Sequence, residues 1–220
     1  MHASGAHMSD ESPRKTQVAG SAFGAVATER SHLDLTRLSA ARKAELMSFA
    51  IDNDSTDAAL FAALIAAREV RGDVFLLGLA RDQVAALYRR HFSLDAAPSP
   101  ISVTIDTHEH ASFVVALKAL LLAYASESVD AGDADCLATI IAHACLRPDH
   151  LWRDLGLTGR DDVTAMLSRY FPTFIARNTE NLRWKKFLAR ELALSQGLAP
   201  RPAPGCPGCE DFGLCFGSGN

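Results

Sequence analysis

From residue 40 onward, apolar positions recur at the spacing of an amphipathic helix. Leu60, Phe61, Leu64 and Ile65 share one face. Val84, Leu87, Tyr88 and Phe92 form a second stripe, and Phe113, Leu117, Leu120, Leu121 and Tyr124 a third. Residues able to accept from free helix amides stand before these runs. Ser39 precedes a run over 40–51, Ser55 or Thr56 the second helix, and Asp106 or Thr107 the fourth. Arg71-Gly72-Asp73 ends the second helix, residues 74–79 form a short apolar connection, and residues 96–100 a loop with two prolines. Residues 101–105 read as a short extended piece, too isolated to found a sheet.

The pattern then repeats. Leu60, Leu64, Arg71-Gly72-Asp73, Leu77-Gly78-Leu79, Arg81-Asp82, Val84 and Phe92 make one series. Leu137, Ile141, Arg147-Pro148-Asp149, Leu155-Gly156-Leu157, Arg160-Asp161, Val163 and Phe171 make the other, at an offset of 76–79 residues. Two helix–turn–helix units burying their apolar faces against each other are expected. After Pro172 a last helix is expected over 179–196, stopped by Gly197. Trp184, Phe187 and Leu188 form its apolar side, and Arg183, Lys186 and Arg190 a basic stripe at i, i+3 and i+7.

The ends differ from this body. Residues 1–35 are rich in Ser, Gly, Ala and charge without a period, which predicts disorder. Residues 198–220 open with Pro200, Pro202 and Pro204, which cannot continue a helix, and read as an irregular appendage outside the core. The expected division is thus 1–35, a helical domain over 36–197, and a cysteine-bearing tail over 198–220. An Ala- and Leu-rich chain with 48% hydrophobic residues and few β-branched runs predicts an all-α protein. The net charge of −4 speaks against general nucleic-acid binding. No stretch reaches the ~18 apolar residues that span a bilayer; residues 111–125 are interrupted by Lys118. Without an apolar leader, a cytoplasmic protein is expected.

The candidate chemistry lies in the tail. Cys206, Cys209 and Cys215 are three of the five cysteines and share a ten-residue window. Cys206-Pro207-Gly208-Cys209 lets one tight turn aim two sulfurs at a common centre. Thiolates select zinc, Cu(I) or iron–sulfur clusters. A structural zinc site needs a fourth ligand from the body; disulfides and free thiols are the other readings. Cys145 and Cys136 read as small core hydrophobes, and either becomes a fourth ligand only if the tail folds back onto their helix. His108 and His110 diverge by about 200 degrees on a helix and cannot share an ion there. His150 and Asp154, at i and i+4, read as a surface pair. The Arg183, Lys186 and Arg190 stripe is a solvated face or a docking face for an anion or acidic partner. No phosphate loop or nucleophile triad stands out, so no catalytic residue is assigned and no enzyme is expected.

These blocks together resemble the NifQ family. The resemblance is densest through residues 140–145 (Ile-Ile-Ala-His-Ala-Cys), 150–157 (His-Leu-Trp-Arg-Asp-Leu-Gly-Leu), Tyr170-Phe171-Pro172, Ala176-Arg177-Asn178, Trp184-Lys185-Lys186-Phe187 and the tail. It implies a cytoplasmic carrier of a molybdenum–iron–sulfur cluster in nitrogen fixation. Such a carrier draws on molybdate and donates molybdenum to the nitrogenase iron protein and cofactor-scaffold complex. Cys206, Cys209 and Cys215 match the last three positions of the family's Cys-x4-Cys-x2-Cys-x5-Cys pattern, and Arg201 stands at the first. The resemblance therefore implies three thiolates on a three-iron or molybdenum–three-iron cubane, with Cys145, Cys136 or Asp211 as substitutes for the missing one and Arg201 offsetting charge. A helical interaction protein with a structural zinc tail and a small iron–sulfur electron-transfer module are the alternatives.

Overall fold

The computed structural model describes residues 20–93 and 109–217. Two compact units divide the chain after Asp34. The first contains the start of helix α1 (Gly20–Ser48), and the second holds everything from Leu35 onward. Expectations for residues 1–19, for the loop and extended piece at 96–105, for caps at Asp106 or Thr107, and for His108 fall outside the described residues. Helix α1 begins at Gly20, so the expected start at Ser39 lies inside a continuous helix.

The remaining helices are α2 (Thr56–Glu69), α3 (Arg81–His91), α4 (Ala111–Leu122), α5 (Ala131–Ala144), α6 (Leu151–Leu155), α7 (Arg160–Tyr170), α8 (Pro172–Ile175), α9 (Trp184–Ser195) and α10 (Phe212–Phe216). Short 3-10 turns lie at Val74–Leu77 and Cys206–Gly208. Among the described residues there is no strand, only one isolated bridge between Ala50 and Phe92. The protein is all-α.

Local chemistry explains the boundaries. The Ser55 hydroxyl accepts from the Ala58 amide at 3.2 Å and starts α2; Asp130 does the same for α5 through Asp133. Gly78 follows the first 3-10 turn at φ 72°, and Gly156 follows α6 at φ 73°. Both need a left-handed residue, and both are crowded: a Cβ at Gly78 would strike the His143 ring, and one at Gly156 the Ala67 methyl. These glycines stand 78 residues apart, one in each of the two sequence series.

Helix α5 is the central element. Its Ala134, Cys136, Leu137, Ala138, Ile140, Ile141, Ala142 and Ala144 are all buried, so most of its circumference is core, and Ala131, Gly132, Asp135 and His143 mark the less buried side. It packs along α4 and touches α3, α6 and the first 3-10 turn. Cys136 and Cys145 are therefore core residues, as their apolar neighbours predict. Around α5 the largest buried side chains interlock: Phe61 meets Tyr170 edge-on at 6.4 Å, and Phe174 contacts both Tyr124 and Phe187 at 5.2 Å.

A charged clamp ties the start of α2 to the end of α7. The Asp57 carboxylate accepts from Arg169 at 2.6 and 2.5 Å and from the Tyr170 hydroxyl at 2.8 Å. Arg169 holds the Asp57 carboxyl below its ordinary range, against the opposing effect of burial. Asp57→Ala leaves the buried Tyr170 hydroxyl without its acceptor and is expected to cost about 2 kcal/mol. The sign follows from the lowered pKa. The charged carboxylate stabilises the fold above the unfolded value of about 4, and that stability is lost as pH falls through the folded value. Urea unfolding at a series of pH values should show the gap between wild type and variant full at neutral pH and closing in acid.

Candidate metal centre

The tail is not an appendage. Ala203 is fully buried and Cys206 is 7% exposed; both join the main core cluster. The Gly205 amide donates to the Cys145 carbonyl at 3.0 Å, tying the tail to the end of α5. Gly208 sits against Pro148, where a Cβ would collide with the proline ring. The prolines do exclude regular helix over 198–205, as expected, but the chain they stiffen lies on the protein surface rather than in solvent. Its end then turns back into α10.

Cys206 opens the 3-10 turn and its amide donates to Ala203 at 2.9 Å; the Cys209 amide closes the turn on the Cys206 carbonyl at 2.9 Å. Cys215 lies on α10, its amide donating to the Asp211 carbonyl at 3.0 Å. All three cysteines line one cavity of about 300 Å³, together with His150, Trp152, Trp184, Phe212 and Phe216. All are free thiols. The cations Arg160, Arg183, Lys185 and Lys186 also line this space, against one lining carboxylate, Asp149. An anionic occupant and ionised thiols suit such a wall. Burial pushes the Cys206 thiol up, and nearby Lys185 partly offsets this.

The other expected positions fall as follows. Cys145 is fully buried, and burial pushes its thiol up to about 12. It lies beneath the tail but does not line the cavity. Cys136 is on α5 near Arg90, at 3.8 Å. Arg201 is exposed and is not a lining residue. The basic stripe of α9 is engaged within the chain. Arg183 pairs with Asp211, and Lys186 donates to the Cys215 carbonyl at 2.6 Å while lying 5.1 Å over the Phe216 ring. Arg190 pairs with Glu180 at 2.6 Å. Arg183 holds the Asp211 carboxyl below its usual range.

His150 and Asp154 do not pair with each other on the surface. Asp154 is buried and meets Lys185 at 2.5 Å and Arg147 at 3.3 Å. His150 instead faces the tail, with Nε2 3.1 Å from Asp211 and 3.8 Å from Glu210. Its ring stacks on Trp152 with 9° between planes. Helical spacing alone missed this because α6 starts only at Leu151, leaving His150 outside the helix as its N-cap. Among the described residues, Asp149, His150 and Glu210 also bring one ligand atom each within 4.8 Å of one another. Arg153 already bridges that pair of carboxylates, at 3.2 Å from Asp149 and 2.7 Å from Glu210.

Fold and site define a class: an all-helical protein whose final segment docks on the body and gathers three thiols around a cation-walled cavity. The NifQ family model matches residues 57–217, from the start of α2 through the three tail cysteines to Gly217. The chain belongs to the NifQ family. It is 47% identical over 105 residues to the NifQ homolog protein of Sinorhizobium fredii, covering 47% of this chain and 44% of that protein. It is 43% identical over 82 residues to protein NifQ of Azotobacter vinelandii (37% and 42% covered) and 40% identical over 85 residues to protein NifQ of Klebsiella pneumoniae (38% and 51%). The matched stretches thus span about half or less of these relatives' length. No solved structure matches the chain. No helix among the described residues is long and apolar enough to cross a membrane.

Proposed function

We propose that the chain is a non-enzymatic carrier in nitrogen fixation. It holds molybdenum within an iron–sulfur cluster on Cys206, Cys209 and Cys215, and gives the molybdenum up to assembly of the nitrogenase iron–molybdenum cofactor. The observation that carries this reading is the meeting of all three tail thiols in one cavity walled by cations. Sulfur donors fit iron–sulfur chemistry, and the positive wall fits a cluster made anionic by thiolate and sulfide. Membership of the NifQ family supports the cargo and its destination. Molybdate is the source, and the nitrogenase iron protein with the cofactor scaffold the receiver. Arg183 and Lys186 grip the tail, so a partner docking on that side of α9 meets the rim of the cavity itself.

Anaerobic reconstitution with iron, sulfide and molybdate tests the reading. Wild-type protein is expected to emerge brown and to retain iron, sulfide and molybdenum through desalting, and Cys209→Ala to fall to background. Colourless protein holding one zinc would establish a structural zinc tail instead. A reversible redox couple without molybdenum would establish an electron-transfer module.

A further inference from the structure

We infer that His150 is the fourth metal-binding side chain of the cavity, an imidazole completing the donor set of Cys206, Cys209 and Cys215. The inference rests on the carrier reading and adds a ligand to it. Three sulfurs leave a four-donor site one short. Of the remaining lining residues, arginine and lysine offer only donor N–H groups and indole likewise, while the Asp149 carboxylate is already engaged by Arg153 at 3.2 Å and by the His150 amide at 2.7 Å. His150 alone among them brings a nitrogen that iron, zinc and their neighbours accept. Cys145 does not compete: it is outside the lining, and it is its carbonyl that meets the tail.

The ring lines the same cavity as the three thiols and is held in place from several sides. His150 sits at an extended N-cap, φ −62° and ψ 144°, immediately before α6. Its amide is fixed on the Asp149 carboxylate at 2.7 Å, and its ring is stacked on Trp152. Nε2 lies 3.1 Å from Asp211, which belongs to the short stretch between Cys209 and Cys215. The imidazole therefore abuts the segment that carries two of the three thiols. Asp211 is also paired with Arg183, so its carboxylate is an acceptor. With its proton on Nε2, the nitrogen that faces Asp211, the ring would keep on Nδ1 the lone pair a metal needs. Ligating imidazoles characteristically give their other N–H to a carboxylate in this way, which fixes tautomer and orientation. Asp211 is thus a positioning residue for His150, and Arg183 positions Asp211.

The test uses the full chain, reconstituted anaerobically with iron, sulfide and molybdate, with and without 15N-labelled histidine. Pulsed electron paramagnetic resonance of the wild type should show nitrogen coupling to the cluster that changes on labelling. His150→Ala should lose that coupling and retain at least ~10-fold less metal through desalting, the lower end of what loss of even an outer-shell partner costs. His150→Cys should restore retention without nitrogen coupling. The labelled wild type needs no variant, so a poorly folding mutant does not blunt the result. Metal retained equally by His150→Ala, or lost without any histidine coupling in the wild type, overturns the assignment while leaving the carrier reading intact. Wild type that holds no more metal than Cys209→Ala removes the carrier reading instead.

Discussion

Asp154→Ala is expected to destabilise the fold by about 3–5 kcal/mol, the cost of leaving a buried charge without its partner. Asp154 is 7% exposed and accepts from Lys185, itself 6% exposed, at 2.5 Å, and from Arg147 at 3.3 Å. Lys185 also donates to the Arg147 carbonyl at 2.7 Å, Arg147 to the Leu76 carbonyl at 2.9 Å and to the Asp154 carbonyl at 2.5 Å. Arg68 reaches the same Asp154 carbonyl and pairs with Asp73 at 3.0 Å. Three cations from α2, the end of α5 and α9 thus converge on the first turns of α6. Removing Asp154 leaves Lys185, 6% exposed, with the Arg147 carbonyl alone. Lys185→Met should cost clearly less, because Asp154 keeps Arg147 and the methionine stem fills similar space. Denaturant midpoints of the two variants at unchanged m-value measure the asymmetry. Equal losses, or a loss under about 1 kcal/mol for Asp154→Ala, would show that the network is solvated.

The helices were legible because their causes are local. Ser55 caps α2 and Gly197 follows α9 where the pattern puts them, and the stripe of Leu60, Phe61, Leu64 and Ile65 faces inward. The spacing also drew attention to Cys206, Cys209 and Cys215, which line one cavity. What the pattern hid depends on contacts between distant residues. Asp154 reads as a helix-surface acid until Lys185, 31 residues away, is placed against it. Arg183, Lys186 and Arg190 read as one stripe, solvated or docking an anion or acidic partner, yet the tail folds back 28 and 29 residues later to engage the first two. His150 looked like the i partner of Asp154 because the rule assumes helix at both positions, and the helix begins one residue too late. The start of α1 at Gly20 escaped because Gly, Ser and Ala in that stretch carry no apolar period.

Gly205→Val is expected to unseat the tail. Gly205 has an ordinary φ of −79°, so it is required for space and not for backbone freedom. A Cβ there would run into the backbone of Arg147 at its nitrogen, carbon and oxygen. That backbone cannot retreat: the Arg147 carbonyl accepts from Lys185, and the guanidinium is fixed on Leu76 and Asp154. The collision is relieved only by lifting the tail, which breaks the Gly205–Cys145 hydrogen bond of 3.0 Å and withdraws Ala203 and Cys206 from the core. Inserting volume into a packed site costs about 1–3 kcal/mol, comparable to what holds a short docked segment, so the helical body should survive while the cavity opens. Cys206, 7% exposed in the wild type, should then react with a thiol reagent far faster, while Cys145, the residue that ends α5, stays protected by the core around it. Metal retention should fall as far as in Cys209→Ala, although every sulfur is still present. Gly213→Ala is the matched control: its Cβ meets nothing within 4 Å, and it should keep both slow Cys206 labelling and metal. Unchanged labelling in Gly205→Val would mean that the thiols are gathered by the tail itself and owe nothing to the surface of α5 and α6.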